Sequence, residues 1–169
     1  MNLYFYSLSS SGIQNSHSLT REAFDVPKNK CACYQSGDLL IVKSNVEPKK
    51  FKPTLVMPTN LHDKKNSFVK IKAHIAFDNR GRAGGIPKRL TQEAALAKFL
   101  DLTGLERTDS SKSFFIGCHL EKKFNIHNAF NFEGWFKVNN FEKFNVSIEN
   151  GVGSRKSYGY GLILVSEQK

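Results

Sequence analysis

The 169-residue chain has no run of roughly 18 apolar residues, so nothing in it reads as a membrane-spanning helix. Its opening, MNLYFYSLSSSG, lacks the basic start and long apolar stretch of a secretory signal, and the expected location is cytoplasmic. Cysteine is scarce. Cys31, Cys33 and Cys118 are an odd number with no repeated pair spacing, which argues against a disulfide framework and fits reduced thiols. Cys31 and Cys33 could hold a metal with His62 or His119, but alternation along one strand explains their spacing more simply, and no metal or other cofactor is expected. Acidic residues are under-represented: 15 Asp and Glu stand against 25 Lys and Arg, a formal net charge of +10. Such a field attracts polyanions, which makes nucleic acid the leading partner. No amphipathic basic helix favours a membrane surface. Apolar residues form 40% of the chain, with 14 phenylalanines, so a core can form without metal or disulfide help.

Along the chain, NLYFYSL (2–8) has the bias of a strand, and SSSGIQNS leads to a helix near HSLTREAF. Ser16 can cap that helix, Leu19, Ala23 and Phe24 share its apolar side, and Pro27 ends it. CACYQSGDLLIVKS reads as a hairpin turned at Ser36, Gly37 and Asp38. Residues 46–66 carry Pro48, Pro53, Pro58 and many lysines, and read as a connection between two units. In SFVKIKAHIAF, Phe68, Ile71 or Val69, Ala73, Ile75 and Phe77 suggest a strand whose opposite face offers Lys70, Lys72 and His74. A basic glycine loop, DNRGRAGGIPKR (78–89), precedes a helix in LTQEAALAKFLDLTG, capped by Thr91 and stopped by Gly104. Two or three strands within 111–138, a short helix in FEKFNVSIENG and a last strand in YGLILV complete the chain.

From residue 67 the order is strand, helix, strand, strand, helix, strand, the ferredoxin-like pattern shared by many RNA-binding (RRM-like) domains. Residues 2–44 repeat its first part. The expected fold is therefore α+β, two ferredoxin-like domains in tandem: 1–66, shortened and including the connection, and 67–169, carrying a glycine-rich loop.

That loop lies in GVGSRKSYGYGLILV (151–165). Glycines leave amides uncovered, so Gly151, Gly153, Gly159 and Gly161 could bring N–H groups against a phosphate, with Arg155 and Lys156 adding charge. Lys156 and Ser157 mimic the end of a P-loop, yet the loop leads into a strand and not a helix, which argues against mononucleotide binding and leaves contact with an RNA backbone open. A plain glycine turn at the surface is the other reading.

The segment FNFEGWFKVNNFEKFNVSIENGVGSRKSYGYGLILV resembles the C-terminal signature of the CasE-type CRISPR RNA-processing endoribonucleases. Phe132, Glu133 and Gly134, then Gly151, Gly153, Lys156, Gly159, Gly161 and Leu162, fall in that family's order. FVKIKAHIAF and GIPKRLTQEAALAKFLDLTG are similar to its cationic strand and to its basic loop with following helix. Residues 68–169 are covered; the first 67 match thinly and are shorter than the family's N-terminal half. The resemblance implies a metal-independent endoribonuclease that binds the repeat stem-loop of CRISPR precursor RNA and works with subunits of a CRISPR effector complex, with no membrane partner. It implies His17, at the start of the first helix, as general acid or base and Lys156 as the cation at the scissile phosphate. Attack by the RNA 2′-OH would leave a 2′,3′-cyclic phosphate and a 5′-OH, so no DNA cleavage is expected. Where the family often has a tyrosine three residues before the histidine, this chain has Gln14. Lys70, Lys72, Arg80, Arg82, Lys88 and Arg89 are the candidates for RNA grip, together with Gly151, Gly153, Arg155 and Ser157. Two alternatives stay open: a non-catalytic RNA-binding subunit on the same fold, and a general RNA-binding protein.

Overall fold

The structure, a computed structural model, describes residues 2–8, 22–24, 32–58, 67–80, 90–121, 125–154, 156 and 160–169. Two antiparallel sheets organise them. The N-terminal sheet contains β1 (Asn2–Ser7), β2 (Ala32–Ser36), β3 (Leu39–Ser44) and β4 (Leu55–Pro58) in the order β2-β3-β1-β4. β2 and β3 form the expected hairpin, with Ser36 opposite Leu39 and Gly37 at φ 56° in the turn. Strand alternation divides the sheet into two faces. Tyr4, Tyr6, Cys33, Leu40 and Val42 pack with Ala23 and Phe24, while Ala32, Tyr34, Ile41, Leu3 and Phe5 gather with Leu162 and Leu164 from the end of the chain.

The fourth strand adds an element to 46–66, where the sequence reading saw only a connection between two units. Three prolines hide it from a sequence pattern, but the free edge of β1 offers Asn2 to Phe5 as partners for Pro58 to Leu55, and Thr54 N–H donates to Phe5 O at 2.7 Å. Of the expected first helix, only residues 22–24 are described, and they are helical.

The C-terminal sheet is built on two long strands, β5 (Phe68–Arg80) and β8 (Asn125–Val138), paired from Phe68 opposite Lys137 to Arg80 opposite Asn125. β9 (Ile163–Gln168) lies on the other edge of β5. Two strands share the far edge of β8: β6 (Leu105–Arg107) beside Phe136 to Val138, and β7 (Lys112–Glu121) from Glu133 to Asn125. In the gap between them, the Thr108 and Ser111 hydroxyls donate to Trp135 O at 2.5 and 2.6 Å, so side chains replace the missing ladder bonds. Counting β6 and β7 as one interrupted strand, both sheets have the strand order of a ferredoxin-like unit. In the N-terminal one, residues 45–54 join β3 to β4 without a helix.

β5 runs three residues further than the sequence pattern suggests. Asp78, Asn79 and Arg80, read as loop, continue the ladder opposite His127, Ile126 and Asn125. The last strand, read as starting at Tyr160, begins at Ile163.

Two helices cover the apolar face of this sheet. α1 (Gln92–Thr103) has the expected caps: Thr91 accepts from Ala94 N–H, and Gly104 sits at φ 66°. α2 (Phe141–Asn150) is capped by Asn140, which accepts from Lys143 N–H. The odd-numbered apolar residues of β5 are all buried beneath them, with Phe99 stacked on Phe132 at 4.2 Å and 4°. The opposite face carries Lys70, Lys72 and His74. No helix among the described residues is long and apolar enough to cross a membrane.

Candidate active site and nucleic-acid interface

The glycine-rich segment lies where the two sheets meet. After α2 ends, Val152 N–H donates to Gly161 O at 2.8 Å, Ser154 N–H to Ala76 O at 2.8 Å and Gly161 N–H to His74 O at 2.7 Å. Gly161 also bridges to Cys33 of β2. The amide of Gly161, which the sequence reading aims at a phosphate, is thus engaged by the edge of β5. Close packing is what glycine serves here. Gly153 has φ 78°, and a Cβ there would collide with the Ala76 carbonyl; Gly161 has φ 96°, and a Cβ there would press on Val152 O and the Lys156 side chain.

Lys156 is held at three points. Its carbonyl accepts from the Cys33 thiol at 2.8 Å, its stem lies against Gly161, and its Nζ donates to Asn150 O at 2.7 Å. Asn150 is the last residue of α2, so the amine stands at the negative end of the helix dipole. Burial lowers the amine's pKa from its ordinary value, because the charged form loses hydration.

A second cationic feature is the open face of the C-terminal sheet. A groove of about 550 Å³ is lined by Lys70, Lys72, Lys112, Glu133, Ser110 and Leu164, among others. Glu133 stands opposite both Lys72 and Lys112 in the ladder, and Asn131 Nδ2 donates to it at 3.2 Å. Lys70 Nζ pairs with Glu167 at 2.6 Å, and this hydrogen bond holds the Glu167 carboxyl below its usual range. Both partners are half exposed, so the pair is weak and open to exchange for a phosphate. Further along the face, Lys169 Nζ lies 4.5 Å from the centroid of the Trp135 ring.

His74 closes the inner end of this face. Its ring lies against that of Tyr34 of the N-terminal sheet, centroids 4.3 Å apart and planes tilted by 32°, and burial lowers its pKa against a hydrogen bond with the Gln35 backbone. It is a junction residue between the sheets.

Of the sequence-predicted site residues, the structure brings Lys70 and Lys72 onto one face and Gly151, Gly153 and Lys156 into one loop. Arg80 ends β5, at the far end of the β5–β8 ladder from Phe68. His17, Arg82, Lys88, Arg89, Arg155 and Ser157 lie outside the described residues, as do Gln14 and Ser16. The sequence reading missed Lys112, Cys33 and Lys43. Lys112 reaches the groove only through the pairing of β7 with β8. Cys33 and Lys43 touch the C-terminal unit 123 and 105 residues further along the chain. A buried lysine inside the apolar run LLIVKS was the one available sign of the last.

Comparison with known proteins bears on the whole arrangement. A family model described as "CRISPR associated protein" matches residues 77–167. None of the curated proteins searched matches the chain. Among solved structures, Cas6e from Escherichia coli str. K-12 superposes with a TM-score of 0.70 at 11% identity, over 98% of this chain and 99% of that one. Cse3 of Thermus thermophilus, bound to an RNA representing a pre-cleavage complex, gives 0.72 at 15% identity, over 99% and 100%. A chain of a CRISPR RNA-guided surveillance complex gives 0.63 at 16% identity, over 98% and 99%. At these identities the likeness is one of fold, and it spans both sheets.

Proposed function

The chain belongs to the CRISPR-associated protein family, and on that footing we propose that it is an endoribonuclease of the CasE type, which binds the repeat stem-loop of a CRISPR precursor transcript and cuts it to mature guide RNA. The observation that carries the reading is Lys156, a partly desolvated cation fastened at the seam of two ferredoxin-like sheets, in a fold shared along its whole length with RNA-bound Cse3. The likeness to a chain of a surveillance complex supports an effector complex as its further partner.

The chemistry follows from the RNA itself. The 2′-OH attacks the adjacent phosphorus, the bond to the 5′-oxygen breaks, and the products end in a 2′,3′-cyclic phosphate and a 5′-OH. His17 suits the proton transfer, because an imidazole titrates near neutrality and can accept from the 2′-OH or donate to the leaving oxygen. Lys156 stabilises the charge that builds on the phosphoryl oxygens. An ammonium has three donors; one goes to Asn150 O, and the others are available to a phosphate. No step requires a metal. Arg155 and Ser157 flank the lysine and add donors, while Gly151 and Gly153 let the backbone come close. Lys70, Lys72, Arg80, Arg82, Lys88 and Arg89 grip the RNA backbone, and Lys112 joins them across the groove.

The test is cleavage of the cognate repeat RNA in EDTA by wild type and His17→Ala, alongside a substrate with one 2′-deoxy nucleotide at the cut site. Wild type should cut, and either change should stop cleavage while binding persists. A wild type that binds the hairpin and never cuts it would instead identify a non-catalytic RNA-binding subunit.

A further inference from the structure

Lys43 is 3% exposed at the end of β3, and its Nζ donates to Ile148 O of α2 at 2.5 Å. A buried ammonium is costly to keep, and an apolar side chain of similar length would fill the space at less cost. What it does for the helix is specific. α2 has no basic residue in its last turn and ends in Glu149 and Asn150, an acid where the dipole favours a cation. Two lysines from elsewhere serve that end: Lys43, from the N-terminal sheet, on the carbonyl of residue 148, and Lys156, from the glycine loop, on the carbonyl of residue 150. The neighbouring strand β2 holds the same loop through the Cys33 thiol on Lys156 O and the bridge to Gly161.

We infer that Lys43 is a positioning residue for Lys156: it fixes the carbonyl end of α2 against the N-terminal sheet, so that the carbonyl tethering the Lys156 amine stays in place. The inference rests on the reading that Lys156 meets the scissile phosphate. Lys43 itself touches no RNA in this scheme. Its charge is enclosed between β3 and α2, and its effect passes through two residues of helix.

The experiment compares wild type with Lys43→Met, Lys156→Met and the double variant. Four quantities are measured: single-turnover cleavage at saturating repeat RNA, RNA affinity, thermal midpoint, and hydrogen exchange over residues 144–156. Lys43→Met should slow cleavage by about 10- to 100-fold, the scale of a small misplacement of a reacting group, while affinity and thermal midpoint hold or the midpoint rises. The double variant should be no slower than Lys156→Met alone, and exchange at the end of α2 should quicken. An unchanged rate in Lys43→Met, a loss that follows a lowered midpoint, or losses that add in the double variant would each overturn the inference. If Lys156→Met cuts as fast as wild type, the role given to Lys156 fails and the inference with it. Exchange is read without cleavage, so unaltered exchange in Lys43→Met marks the failure as that of the positioning contact alone.

Discussion

At the scale of single residues, desolvation acts on two of the described lysines, Lys43 and Lys156. Lys156 has its pKa lowered by burial, and in the proposed mechanism the charged amine is the form that would stabilise a phosphorane-like transition state. Its charge is therefore lost at a lower pH than that of free lysine. The cleavage rate should fall on the alkaline side, and Lys156→Ala should abolish that limb while lowering the rate by about 10²- to 10³-fold, with RNA affinity little changed. A pH–rate profile under single turnover checks both. Lys43 is pushed down to about 8 by burial, against the attraction of Glu149. Below that pH both folded and unfolded chains carry the proton, and the cost of the buried charge is fully present. Between about 8 and the ordinary 10.5 the unfolded state binds more protons, so stability rises with pH. Lys43→Met should flatten this slope to the part that Lys156 contributes and stabilise the protein at neutral pH by on the order of 3 kcal/mol, read from urea denaturation of both proteins at pH 7 and pH 10. Equal slopes in the two proteins would show that Lys43 is not the titrating group.

At the scale of elements, the glycine loop and β5 stabilise one another. Gly153→Ala must hold an alanine at φ 78° and displace it from the Ala76 carbonyl, which accepts from both Ser154 N–H and the Ser154 hydroxyl. The variant should lose about 1–3 kcal/mol by denaturant titration and show faster exchange at Ser154. Much of this layer was legible in the sequence. The alternation of β5, the caps of α1 at Thr91 and Gly104 and the hairpin at Gly37 each follow from a local period or a local turn. What escaped depends on distant pairing. β4 is four residues that end in a proline and pair with the free edge of β1, and the strand opposite β8 is split by Thr108–Ser111, whose hydroxyls reach Trp135. The candidate site divides in the same way: Lys70 and Lys72 were readable from alternation, and Lys112, Cys33 and Lys43 were not, because their neighbours come from other parts of the fold.

At the scale of the whole molecule, a net charge of +10 guarantees attraction to RNA but does not say which face receives it. The two faces of the C-terminal sheet differ enough to decide. On the helical side, Lys98 lies over the Phe77 ring at 5.0 Å. On the open side, Lys72 and Lys112 flank Glu133 in the groove, while Lys70 is paired with Glu167. If the groove carries the RNA backbone, replacing Lys72 and Lys112 by alanine together should reduce the slope of log affinity against log salt by about 1.4, the value for two phosphates of a single strand. Lys98→Ala should leave the slope unchanged. Equal effects from the two faces would mean a diffuse field rather than a track. Affinity measured for the cognate hairpin and for a scrambled one separates the two components further. The groove variant should weaken both alike, since phosphate contacts carry no sequence, and discrimination between the hairpins should survive it.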